Sequence, residues 1–282
     1  MRALVRRASV ALRGLVALGL GGGLLMAGAC SDGSTATGPG APVPFSVTVS
    51  LPEASAQDLA GVGSAFDAAD EVFVFVGAFP DGLDTLELLD NLEERAVVDA
   101  DDLLLELEQL SQVLQADWLP LGDDRTVRLR VLGPEGDLPV VAIALVALER
   151  HVLFVGASEA VRLRVAPPPQ VAIPLTPLSW DTEVTQDLVS LSGPGAVVQL
   201  QARGTFFTGD PLGILPPDAT VWRSLDGRVE VLDPRAGLVR AVVPGTARVE
   251  VENVLHGFSL ADDGGPENGQ IADTVVVRVE GR

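Results

Sequence analysis

The sequence predicts a mainly β protein made of two β-sandwich units in tandem. Three observations carry that expectation. Short segments recur in which apolar and polar side chains alternate, the two-residue period of a half-buried strand. The 282 residues include 30 Gly and 20 Pro, which punctuate the chain too often for long helices. Hydrophobic residues make up 47% of the chain and there is one Cys, so a buried core and not a disulfide framework must hold the fold.

Composition also excludes whole classes. The 39 acidic side chains face 19 basic ones, all Arg, for a net charge of −20. A nucleic-acid binder neutralises phosphates with clustered cations, and this balance argues against one. A single Cys excludes a multi-Cys zinc or iron–sulfur site. The apolar content excludes an intrinsically disordered chain.

The first 29 residues read as an address. Arg2, Arg6, Arg7 and Arg13 surround the start of an apolar run over residues 14–29. That run is shorter than the roughly 20 residues a membrane-spanning helix needs, and it ends in small side chains, as an export signal does. Leu25-Met26-Ala27-Gly28-Ala29-Cys30 resembles the lipobox of bacterial lipoproteins, with the chain's one Cys at the acceptor position. The resemblance implies cleavage before Cys30, acylation of its sulfur and attachment to a membrane. Two or three acyl chains anchor stably, since each buried methylene contributes about 0.8 kcal/mol. Ser31, not Asp, follows the Cys, and by the same resemblance the outer membrane is favoured. Residues 30–43 are rich in Gly, Pro, Ser and Thr and read as a flexible tether.

The first unit is expected over residues 44–178. Residues 45–51 alternate strictly, 71–77 are apolar on both faces, and 126–132 alternate Val127, Leu129 and Val131 with Arg128 and Arg130. A long apolar strand follows over 139–148, then further strands over 152–155, 161–165 and 171–175. Between the second and third strands, residues 81–124 carry fourteen acids and one Arg. There Leu103, Leu107, Leu110, Leu114 and Trp118 recur at helical spacing, which predicts an acidic helical insertion, with a strand as the alternative over residues 103–107. Its acids read as a solvated face. Calcium capture by Asp99, Asp101 and Asp102 lacks the loop spacing that such sites need.

The second unit is expected over residues 183–282, with strands at 198–202, 220–224, 229–233, 236–241, 243–251 and 273–279. Trp222 precedes Ser224, an Asp233–Gly237 hairpin follows, and Pro244-Gly245-Thr246-Ala247 turns into a β-branched strand. This order resembles the bacterial Ig-like group 2 domain, over about a third of the chain. The resemblance implies that Trp222 fills the core between two sheets, that Gly237 and Gly245 occupy turns, and that Val249 and Val251 face inward. The hairpin departs from the pattern through Pro234, Arg235 and Ala236. Residues 254–271 are an insertion before the last strand, and within it residues 262–269 read as a mobile surface loop. If the domain carries a recognition patch, His256, Asp262, Asp263, Glu267 and Asn268 are its candidates.

No nucleophile elbow, zinc-protease helix, P-loop or dinucleotide fingerprint occurs in the chain. His151 reads as an exposed hairpin residue. No cofactor or metal is expected. The sequence thus implies a non-catalytic, lipid-anchored cell-envelope protein, an adhesion module or structural spacer, with a protein or glycan ligand and no nucleic acid. The alternatives are a carbohydrate- or peptidoglycan-binding module, which would need an exposed aromatic platform including Trp118 or Trp180, and an accessory subunit of an envelope complex.

Overall fold

Strand after strand in this chain has one apolar face, and the fold pairs those faces. The computed structural model describes residues 42–51, 60–78, 105, 107, 111–133, 139–163, 169–260 and 269–281. The first half holds β1 (Pro42–Ser50), α1 (Ala60–Ala68), β2 (Glu71–Ala78), β3 (Gln112–Pro120), β4 (Thr126–Leu132), β5 (Pro139–Leu148), β6 (His151–Ala157), β7 (Val161–Arg162), β8 (Gln170–Pro174) and β9 (Thr176–Pro177). Three of these form a small sheet in the order β4-β1-β8. Five form a larger path, β3-β2-β5-β6-β9, with β7 paired to β5.

The alternation in β1 and β4 does what the sequence predicts. Phe45, Val47 and Val49 of β1 and Val127, Leu129 and Val131 of β4 are buried, while Thr48, Arg128 and Arg130 are exposed. β2 and β5 are buried on both faces, which fits their unbroken apolar runs. α1 packs on β6, with Phe66 edge-on to Phe154 at 5.4 Å between centroids.

One expectation fails here. Residues 112–120, read as the last turns of an acidic helix, are strand β3. The strand pairs along β2 with Trp118 opposite Phe73, and Leu114 falls at a bulge between Val113 and Gln115. Spacings of four are shared by a helix and by one face of a strand, where i, i+2 and i+4 align. The open edge of β2 supplies ladder partners that an isolated helix would lack. Leu105 and Leu107 are helical, and Ser111 closes the turn by donating its N–H to the Leu107 carbonyl at 3.1 Å. Leu103, Leu110, Asp99, Asp101 and Asp102 lie outside the described residues, as do residues 1–41.

The second half holds β10 (Asp181–Val184), β11 (Leu188–Leu191), β12 (Val197–Gln199), β13 (Ala202–Thr205), β14 (Pro211–Ile214), β15 (Thr220–Ser224), β16 (Val229–Asp233), β17 (Leu238–Ala241), β18 (Gly245–Asn253) and β19 (Ala272–Val279). They form sheets β11-β19-β18-β15, β12-β17-β16 and β10-β13-β14. This is a sandwich of Ig-like kind. The strand expected at 198–202 is two strands. Leu200 lies between β12 and β13 and is buried, and the chain changes sheet across it.

Both halves belong to one compact unit, residues 37–282. Their buried side chains form a continuous apolar cluster, from Phe45 through Phe154 and Phe206 to Val277.

Candidate functional site

The most unusual local chemistry lies where the two halves meet. β5 and β6 are joined by Glu149 and Arg150, whose φ values are 51° and 68°. Left-handed φ at both central residues marks the type I′ hairpin turn, which Asn and Gly normally supply. Each L side chain there costs roughly 1 kcal/mol or more. Four contacts offset that strain. Asp70 accepts the Glu149 N–H at 3.3 Å and Glu71 accepts the Arg150 N–H at 2.9 Å. Glu71 also pairs with Arg150 Nε at 3.1 Å, and the Arg150 guanidinium lies over the Trp118 ring at 3.9 Å.

Burial raises the Glu71 carboxyl above its ordinary 4.5; the charge of Arg150 and the backbone bond to it pull the other way but do not prevail.

The same hairpin tip is clasped from the second half. Val152 donates its N–H to the Phe258 carbonyl, and Leu260 donates to the Arg150 carbonyl, both at 2.9 Å. Ser179 donates to Leu255 and Gly257 donates back to Ser179, also at 2.9 Å. Residues 255–260 are therefore a strap across the junction, with Leu255 and Leu260 buried. This part of the insertion read at 254–271 is packed in place, while residues 262–268, read as a mobile surface loop, lie outside the described residues. Gly257 packs closely here, since an added Cβ would come within 3.1 Å of Trp180 and the Val152 carbonyl and one of them would have to give way.

His151 is corrected too. It is 7% exposed, not an open hairpin residue. Its ring lies flat on Phe207, with centroids 3.8 Å apart and planes 6° from parallel, and Trp180 meets it edge-on at 5.5 Å. Nδ1 lies 3.3 Å from the Leu148 carbonyl and donates to it, which leaves Nε2 buried with no partner among the described residues. α1 adds a second point of attachment, with Gly61 tight against the Pro211 backbone and Ser64 donating to Asp210 at 3.3 Å.

The other sequence candidates separate. Trp222 is buried at 3% exposure. Gly237 sits against it with φ +68°, and an added Cβ would meet the indole and the Leu200 carbonyl at 2.9 Å. Asp233 accepts the N–H groups of Arg235 and Ala236 at 3.0 Å each, so the extra residues of this hairpin form a capped turn. Gly245 has φ +132° and lies against Arg228. His256 is half-buried in the strap. Asp262, Asp263, Glu267 and Asn268, with Cys30, lie outside the described residues.

A cleft beside Trp222, lined by Gln199, Gln201, Ile214, Pro217 and Arg235, holds about 130 Å³. Small-molecule sites run to roughly 300 Å³ and more, so this one suits waters or a single small group. Among the described residues no three His, Cys, Asp or Glu side chains come together as metal ligands. Among them, too, no helix is long and apolar enough to cross a membrane.

No protein-family model matches the chain, and no curated protein matches it. Among solved structures, the chain is similar to native alpha-2-macroglobulin from Escherichia coli spanning domains NIE-MG1, at 14% identity over 76% of this chain and 95% of that one, with a TM-score of 0.14. A superposition that loose carries no argument. The fold is mainly β and sandwich-like on its own strand pairings.

Proposed function

We propose that this chain is a non-catalytic, lipid-anchored protein of the cell envelope that acts as a structural spacer or adhesion module. The anchor is Cys30, the membrane is the outer one, and the Ig-like sandwich stands farthest from it in sequence. The observation that carries the spacer reading is the junction. A hairpin tip, a strap and an aromatic stack couple the two sandwiches, and a spacer has to transmit position without bending. The motif at residues 25–30 and the single Cys support the anchor.

The aromatic inventory favours a spacer over a glycan platform. Trp180 and Trp222 are buried, and Trp118 lies beneath Arg150. A protein or glycan ligand would then be met through loops and not through stacked indoles.

The test is metabolic labelling with a radioactive fatty acid in a bacterial host. The account expects label on the chain, its loss in Cys30→Ala, and partition of the labelled protein with membranes. Unlabelled protein recovered in the soluble fraction would overturn the anchor.

A further inference from the structure

The outer face of the β4-β1-β8 sheet has a charge opposite to that of the molecule. Its three strands contain no carboxylate and two cations, Arg128 and Arg130, both exposed. Among the described residues neither side chain has an ion pair or hydrogen bond. Elsewhere cations share their surroundings with acids: Arg203 pairs with Glu183, Arg223 with Glu250 and Arg150 with Glu71, and Arg248 and Arg278, which make no ion pair among the described residues, lie on a sheet face that also carries Glu250 and Glu252. A sheet face with two cations and no carboxylate, in a chain of net charge −20, points to a partner outside it.

The register says where the cations lie. Leu132 pairs with Pro42, Arg130 with Pro44 and Arg128 with Ser46, which also neighbours Gln170. Pro42 is the first residue of β1, the end that follows the tether. Arg130 is two residues in from that end, roughly 7 Å along the strand. Leu132 at the same end is 54% exposed. The nearest acids flanking these strands among the described residues, Asp123 and Asp124, precede Thr126 at the opposite end, where Asp124 accepts the Thr126 N–H.

We propose that this face, led by Arg130 and Arg128 with Leu132 at its rim, lies against the anionic phospholipid surface that holds the lipid anchor, and so sets the orientation of the protein. This inference rests on the anchored reading above. Twelve residues separate Cys30 from Pro42, a reach of at most about 40 Å. The tether therefore keeps the face at high effective concentration over the bilayer, and the face needs only to bias orientation. Each cation near an anionic surface is worth about five-fold, so the pair supplies on the order of 30-fold. Screening limits repulsion from the chain's acids to those within about 8 Å of the bilayer. The competing explanation is that Arg on an edge strand blocks edge-to-edge pairing.

The experiment uses the chain from Cys30 onward, coupled through that thiol to a maleimide phospholipid in vesicles. Anchoring is then imposed chemically and does not depend on acylation in cells. Arginine modification by phenylglyoxal is followed by mass spectrometry on neutral phosphatidylcholine vesicles and on vesicles with about one third phosphatidylglycerol. The expected result is modification of Arg128 and Arg130 slowed by about five-fold or more on the anionic vesicles, with Arg203 and Arg240 unchanged, and the difference erased by high salt. Equal rates on the two bilayers overturn the proposal and leave the two Arg as edge guards. Failure of fatty-acid labelling at Cys30 would instead remove the anchor and leave this measurement standing.

Discussion

His151 lies flat on Phe207, 3.8 Å between ring centroids, although 56 residues separate them in the chain. One belongs to the hairpin tip of the first sandwich, the other to the turn between β13 and β14. This stack, closed at its edge by Trp180, makes the junction a piece of core and not a linker.

Truncating the stack should therefore cost as much as a core substitution. Phe207→Ala is expected to destabilise by about 3 kcal/mol in denaturant titration. A double-mutant cycle with His151→Ala should return a coupling of about 1 kcal/mol, the worth of an aromatic pair beyond its buried area. Additive effects would mean that the rings touch without interacting.

The turn residue Glu149 should be improvable. Its side chain is exposed and its φ of 51° suits Asn far better than Glu. Glu149→Asn is expected to raise stability by about 0.5–1 kcal/mol. No gain would show that the Asp70 and Glu71 contacts have already removed the strain.

Gly237→Ala tests the pivot under Trp222. The substitution meets both a left-handed φ and an occupied space at 2.9 Å. A loss of about 3 kcal/mol is expected, with a red shift in the Trp emission as the indole is displaced. Stability within about 0.5 kcal/mol of the parent would contradict the packing described.

Glu71 should make folding less favourable as pH rises. Its folded value is raised above 4.5, so the contribution it makes is complete below 4.5 and is lost as pH climbs through the folded value. Glu71→Gln keeps an acceptor for the Arg150 N–H and removes that dependence. The stability of the variant relative to the parent should therefore rise between pH 4 and pH 7. A difference that stays flat, or falls, would show that the Arg150 charge outweighs burial.

Much of the fold was legible because most strands carry their burial in their own pattern. Val127, Leu129 and Val131 announce an inward face without reference to any partner, and residues 220–224, 229–233 and 272–279 do the same in the second sandwich. Leu114 and Trp118 misled because a spacing of four suits both a helix and one face of a strand, and only the open edge of β2 decides between them. Helix α1 escaped notice because Ala, Gly and Ser in residues 60–68 give a weak amphipathic stripe. The junction could not be read at all. Nothing local to His151 says that Phe258 and Leu260, more than a hundred residues on, clasp its turn. The cations on β4 were visible as alternation, but the absence of carboxylates from the strands of their sheet required the register with β1 and β8.

Calorimetry tests the central claim most directly, that the two sandwiches are one body. On the chain from Cys30 onward, the account predicts a single endotherm whose calorimetric and van't Hoff enthalpies agree, with Phe207→Ala broadening or splitting it. Two resolved transitions in the unmodified chain would contradict a coupled junction, and with it the rigid spacer.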